Sequence, residues 1–307
     1  MESKRLANYI EKLRYGRKIS QEEFVNDITS LRQYQRYRAG DCEFPLDIIS
    51  KMASKLNIPL KKFYSEFEKE KINETRVVTR YYNYVVSRDY FNAHTLRDTI
   101  NFDLFIDVEK KNFFLSATFL LDYFENRLSL VNLIREQSKL VNYPSILRNS
   151  ILTDCETLIL GTIMEYSITD RDIIMQKLTK IMIGDEMQIS GANIFARTQV
   201  LFWLSKNYGR KKDYQKVIEL CSLGIEENKE YFTYYMLEYF YYYKALSYLR
   251  TDYPLEFEEN LFNTIAILEL VSYKERERFY KTINVDTNID VYEFFITKLS
   301  NRKTTEM

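Results

Sequence analysis

Seven glycines and four prolines are spread through 307 residues, and that scarcity of turn-formers limits the fold more than any other feature of the chain. An all-β sandwich needs a turn about every 8–12 residues. Such turns draw on Gly, Pro, Asn and Asp for their special backbone angles. The expected fold class is therefore all-α. The 26 tyrosines and 20 phenylalanines suit helix–helix packing, where large rings fill space and phenol oxygens reach polar edges.

Several function classes find no support. No run of about 18 apolar residues occurs, so no membrane span and no membrane partner is expected. The opening "MESKRLANYIEKL" is charged and amphipathic, without the apolar core and cleavage site of a signal peptide, and a cytoplasmic location is expected. Cys42, Cys155 and Cys221 lie far apart and show no metal-ligand spacing, which predicts structural thiols and no metal. The single His94 has no nucleophile motif beside it, and no phosphate-cradling or zinc-protease motif appears. Paired carboxylates such as Glu226 and Glu227, or Glu258 and Glu259, read as charge on helix surfaces. Neither an enzyme nor a cofactor is expected.

Charge divides the chain. Residues 1–65 hold 13 Lys/Arg against 8 Asp/Glu, a surplus of five that the acidic remainder cancels to a net charge of zero. A basic head on an acidic body suggests a polyanionic partner for the head.

Within the head the apolar spacing is helical. Leu6, Ile10 and Leu13 share one face of a first helix that Ser3 would cap and Gly16 would end. "SQEEF" offers Ser20 as N-cap with Glu23 three residues on, and Phe24 and Ile28 form the inner face. "DITS" makes a turn, Ser30 caps the next helix, and Leu31, Tyr34 and Tyr37 point inward. Gly40 stands where a helix end favours a left-handed residue. Pro45 opens a helix lined by Ile48, Ile49, Met52, Ala53 and Leu56, and "NIPLKKF" leads into a fifth.

This pattern resembles the Cro/CI-type (XRE) helix-turn-helix, and most closely the head of the PlcR-like and Rgg/MutR-like regulators, the peptide-pheromone-sensing (RNPP) family of Gram-positive bacteria. The resemblance implies that the helix "SLRQYQRYRAG" enters the DNA major groove, where Arg donates twice to guanine and Gln pairs with adenine. Arg32, Gln33 and Arg36 are the expected base readers. Arg14, Arg17, Lys18, Gln21 and Arg38 are the expected phosphate contacts. One departure stands out. Many members carry Arg-Ile-Glu before the terminal glycine, and this chain has Arg36, Tyr37 and Arg38, so its local ion pairing must differ.

The expected organisation is a helix-turn-helix domain over residues 1–65, a linker helix over 66–89 and a TPR-like helical-repeat domain over 90–307. Helices are expected near 90–107, 112–139, 143–167, 170–183, 190–208, 212–227, 230–250, 254–272 and from 275 onward. In "VLFWLSKNYGRKKDYQKVIELCSLGI", Leu201, Leu204, Tyr208, Val217, Cys221 and Gly224 take the large and small positions of a tetratricopeptide repeat, with "GRKKDY" as its turn. A looser unit runs from Tyr241 through Ala245 and Tyr248 to Leu261.

Stacked helix pairs form a superhelix with a concave face suited to an extended peptide. The family resemblance implies that the ligand is a short signalling peptide and that the regulator is a homodimer on a two-half-site operator in double-stranded DNA. Asn193, Arg197, Gln199, Tyr235, Tyr239 and Tyr242 are the expected peptide contacts. Gln199 and Tyr239 also fall at polar positions near the peptide in a gapless comparison with PlcR-like members. Two alternatives stay open: a body that binds a partner protein or only dimerises, and a scaffold whose head no longer reads DNA. The last would be favoured by an Arg32 and Arg36 that are buried or ion-paired.

Overall fold

The computed structural model describes residues 2–100, 108–189 and 194–305. Among these it has sixteen α-helices and one two-stranded parallel ladder, so the fold is all-α. No described helix is long and apolar enough to cross a membrane, and no disulfide joins the cysteines. The chain divides into two compact units, Met1–Phe124 and Glu125–Met307.

The first unit begins with α1 (Glu2–Gly16), so Ser3 lies inside that helix and does not cap it. Gly16 is its last residue, while the left-handed conformation falls on Lys18, at φ 58°. In α2 (Gln21–Val25) the Ser20 hydroxyl accepts from the Glu23 N–H at 3.1 Å. The Ser30 hydroxyl does the same for Gln33 in α3 (Leu31–Ala39), also at 3.1 Å. Such caps satisfy amides that a helix start leaves unbonded. Gly40 ends α3 at φ 83°, and the Asp41 N–H reaches back to the Arg36 carbonyl, the closure that needs a left-handed residue at this point.

Behind these helices lie α4 (Leu46–Lys55) and α5 (Leu60–Val86). Phe24, Tyr34, Met52, Leu56 and Phe63 are fully buried in one core, each contributing about 1.5–3 kcal/mol through burial. Lys55 donates to the Asn26 carbonyl at 2.9 Å, tying α4 to the turn between α2 and α3. The fifth head helix and the linker helix of the sequence reading are one continuous helix, α5, of 27 residues. Its far end packs Tyr81 on Phe114 and Tyr82 on Phe113, ring centroids 4.8 and 4.9 Å apart. These partners belong to α7 (Val108–Phe124), which follows α6 (Tyr90–Thr99).

The second unit contains α8 (Leu130–Leu140), α9 (Asp154–Tyr166), α10 (Arg171–Met182), α11 (Ile194–Arg210) and α12 (Tyr214–Tyr231). It continues through α13 (Leu237–Arg250), α14 (Pro254–Leu268), α15 (Tyr273–Thr287) and α16 (Val291–Thr305). Two long helices expected from the sequence are each broken. The 112–139 stretch splits at Asn126, left-handed at φ 60°, and restarts at the Ser129 cap. The stretch after 275 splits at Asn288, φ 57°. The 143–167 stretch opens not as helix but with a 3-10 turn and the strand β1 (Ile151–Thr153), which pairs in parallel with β2 (Met187–Ile189). Lys177 clamps this ladder by bonding both the Asn149 carbonyl and the Glu186 carboxylate.

The expected repeat unit is α11 and α12, with Lys212 left-handed in the turn and Asp213 capping the second helix. Leu201, Leu204, Val217 and Cys221 are buried between them. The looser unit is α13 and α14, where Ala245 and Leu261 are fully buried. Gly224 explains how closely α12 and α13 approach. A Cβ built there falls 2.4 Å from the Phe240 ring, and one on Gly161 falls equally close to Trp203.

Adding that methyl group overpacks the interface. Gly224→Ala is expected to lower stability by about 1–3 kcal/mol in urea unfolding. Gly16→Ala is the control, because its Cβ meets nothing within 4 Å. It should leave stability unchanged or raise it by up to about 1 kcal/mol.

Candidate nucleic-acid interface and ligand-facing helix row

The sequence places Tyr34 and Tyr37 one turn apart, and both are buried, so the opposite face of α3 is fixed toward solvent. Arg32 is exposed and has no partner among the described residues. Arg36 is exposed too, and its one bond is a 3.4 Å donation to the Gln33 side-chain oxygen. Gln33 is half-buried and donates its own amide N–H to Cys42 Sγ at 3.3 Å. The three expected base readers therefore lie together, and Gln33 and Arg36 are mutually oriented. Arg17 and Lys18 are exposed without partners among the described residues.

Other residues expected at phosphate turn inward to one carboxylate that the sequence reading overlooked. Glu11 of α1 receives both Arg14 Nε and Nη2, at 2.7 and 2.9 Å. It also accepts from Gln21 Nε2 of α2 at 2.8 Å and from the Tyr34 hydroxyl of α3 at 2.5 Å. Arg38 comes within 3.6 Å of the same group. Arg14 is only 9% exposed and also donates to the Ile19 carbonyl, so its guanidinium is a strut of the head and not a phosphate contact. Gln21 is corrected likewise: one end donates to Glu11 and the other accepts from Gln35 at 2.8 Å. Arg38 divides between Glu11 and Gln35, 3.2 Å away.

Burial alone raises the Glu11 pKa, but hydrogen bonds from Arg14, Tyr34 and Gln21, together with the Arg38 charge, prevail and lower it to about 2. The same network pushes the Tyr34 phenol well up, first through burial and then through its bond to Glu11.

In the second unit α11, α13 and α15 place a row of aromatic rings side by side. Tyr239 lies 5.0 Å from Phe202 and 5.1 Å from Phe279, and Phe202 stacks on Tyr243 at 5.9 Å. Asn193 lies outside the described residues. Arg197 is held by the Glu227 carboxylate and the Met182 carbonyl. Gln199 is buried and accepts from the Tyr235 hydroxyl at 2.5 Å. Tyr242 is buried and donates to Asp286 at 2.6 Å. The Arg197 Nε and Nη2, the Gln199 Oε1 and the Tyr235 and Tyr242 hydroxyls are thus bonded within the body and are not free to face a peptide as expected. Tyr239 differs, being half-buried with a hydroxyl that bonds nothing among the described residues.

No protein-family profile matches the chain, and no curated protein matches it in sequence. Solved structures do match. ComR from S. thermophilus, in complex with DNA and its signalling peptide ComS, gives a TM-score of 0.58 at 12% identity, covering 92% of this chain and 100% of that one. Bacillus thuringiensis PlcR in its apo form gives 0.55 at 15% identity, covering 92% and 98%. PlcR in complex with the peptide PapR7 and DNA gives 0.50 at 17%, covering 91% and 99%. The chain shares the fold of these regulators. The base at Arg38, noted in the sequence as a departure, meets an acid from another helix, Glu11 on α1.

A lowered folded-state pKa means that ionised Glu11 stabilises the head fully above its ordinary value of 4.5, and that this contribution disappears as pH falls toward about 2. Glu11→Gln should cost about 1.5–3 kcal/mol at neutral pH, the range for charge-assisted hydrogen bonds. In urea titrations at several pH values the gap between wild type and variant should narrow steadily below pH 4.5. A gap that stays constant down to pH 2.5, a point chosen about midway through that window, would refute the role given to the ionised carboxylate.

Proposed function

We propose that the chain is a DNA-binding transcriptional regulator whose helical-repeat body binds a short signalling peptide, and that the peptide changes its affinity for DNA. The observation that carries this reading is the outward face of α3, where Arg32 and Arg36 stand exposed and, among the described residues, free of ion pairs. Buried or ion-paired arginines would have favoured a scaffold with a degenerate head. The shared fold supports the reading, since the ComR and PlcR structures it matches hold DNA and a peptide.

In this reading residues 1–65 form the helix-turn-helix domain and α3 enters the major groove. Arg32, Gln33 and Arg36 meet base edges, and Arg17 and Lys18 meet phosphates. Residues 66–89 are the linker, and residues 90–307 bind peptide and dimerise. The protein acts in the cytoplasm as a homodimer on two half-sites. No covalent step is involved. A peptide acts only through its differential affinity for two arrangements of the dimer, and DNA affinity changes by that same coupling free energy.

Fluorescence-anisotropy titration against the DNA upstream of its own gene tests the reading, with and without synthetic peptides encoded by neighbouring small open reading frames. Salt-sensitive, sequence-selective binding that a peptide alters supports it. Selective binding indifferent to every peptide favours a body that binds a partner protein or only dimerises. Arg36→Ala should cost about 1–3 kcal/mol and relax specificity at one base position. Arg17→Ala should weaken all sequences about equally and reduce the salt slope by about 1.

A further inference from the structure

The peptide-binding proposal leaves the chemistry of the peptide open, and one end of the aromatic row narrows it. Phe202 of α11, Tyr239 and Tyr243 of α13 and Phe279 of α15 are all partly exposed, with centroid separations of 5.0–6.2 Å between neighbours. Rings that pack on one another yet remain partly open to solvent form an apolar box on which a further side chain can pack. Beside the box stands Glu238, on the first turn of α13. It is half-buried, and among the described residues no cation pairs with it. The charge that bears on it is a second carboxylate, Glu275, and burial together with that neighbour raises its pKa. Its charge also bears on the phenols of Tyr235 and Tyr239. Arg278 of α15 acts on Tyr239 from α15 as well and is exposed.

At the start of α13 a backbone hydrogen bond and the helix dipole favour the Glu238 charge in part, and a cation beside this half-buried carboxylate would offset the remaining cost of its burial. A carboxylate next to Tyr239 at the start of the same helix is suited to an ammonium or guanidinium, which gains both the charge and a ring face. The contrast with nearby acids is informative, because Glu227 holds Arg197, Glu165 holds Lys206 and Glu258 holds Lys298.

We infer that this part of the row takes a peptide that sets an apolar, preferably aromatic, side chain among Phe202, Tyr239, Tyr243 and Phe279, and a neighbouring cationic group against Glu238. The inference rests on the peptide-binding reading and specifies its ligand. The cation is either the peptide's N-terminal ammonium or a Lys or Arg side chain.

The test is selection from two random octapeptide bead libraries with the full-length protein, one library with free N-termini and one N-acetylated. Enrichment of aromatic residues next to Lys or Arg in the acetylated library supports a side-chain cation. Aromatic enrichment only among free N-termini supports the ammonium. Glu238→Gln should weaken a selected peptide about tenfold, the factor that about 1.4 kcal/mol represents, and Phe202→Ala should abolish the aromatic preference. Melting curves establish that each variant is folded. Glu238→Lys offers a second route, since it should shift the enrichment toward Asp and Glu. Peptides selected without any cation, or selected equally by wild type and Glu238→Gln, overturn this inference while leaving peptide sensing intact. A wild-type protein that selects no peptide from either library overturns peptide sensing itself.

Discussion

Three helices of the head converge on one carboxylate. Glu11 receives the Arg14 fork from its own helix, Gln21 from α2 and the Tyr34 hydroxyl from α3, with Arg38 nearby. Withdrawing a carboxylate from water is unfavourable unless its lone pairs are filled by well-placed donors, and here four donor groups surround it. The arrangement sets the rotation of α3 about its axis. If Tyr34 is bonded to Glu11 and Tyr37 is stacked on Phe44 at 4.3 Å, Arg32 and Arg36 have only the solvent side left. The exposed arginines are thus a consequence of a buried network on the opposite face.

In the body close approach of helices matters alongside ion pairs such as Lys177–Glu186 and Arg197–Glu227. Gly161 and Gly224 let the rings of Trp203 and Phe240 lie against helix backbones, which brings neighbouring helices near enough for large side chains on α11, α13 and α15 to touch. Phe195 packs on Tyr235 at 4.8 Å and Phe202 on Tyr239 at 5.0 Å. Ring therefore follows ring along the row, and the tyrosine-rich composition has a geometric cause.

Helical periodicity carried most of the fold into the sequence. The caps at Ser20 and Ser30, the glycine stop at Gly40 and the inward faces of α2 to α4 were legible because each depends on residues within one turn of one another. The α11–α12 pair was legible for the same reason, as its large and small positions recur on fixed faces. What stayed hidden depends on distant partners or on unusual backbone. Asn126 and Asn288 break helices by turning left-handed, a conformation asparagine tolerates but does not announce. The ladder of β1 and β2 joins three-residue segments 36 positions apart, too short for an alternating pattern. In the site, register predicted which face a residue occupies and not what it bonds. Arg14 and Gln21 were on plausible faces, yet Glu11 claims both, and the only local hint was the Glu11–Arg14 spacing together with a base at Arg38.

That distinction between paired and unpaired groups governs what either surface does. A ligand recruiting the Arg197 Nε, the Gln199 Oε1 or the Tyr242 hydroxyl must first break an internal bond, and leaving the old partner unsatisfied costs about 1–3 kcal/mol. Groups without such partners carry no penalty of that kind: Tyr239 and the partly exposed rings in the body, and Arg32 on α3. Gln33 and Arg36 occupy a middle position. Their mutual 3.4 Å bond is weak by geometry and costs little to exchange, while the Gln33 bond to Cys42 Sγ limits the rotamers of Gln33. Order of this kind lowers the entropy lost on binding. The division also separates two kinds of substitution at neighbouring positions. Changing a paired residue such as Arg14 removes bonds that hold the head together, whereas changing an unpaired one such as Arg32 removes none among the described residues.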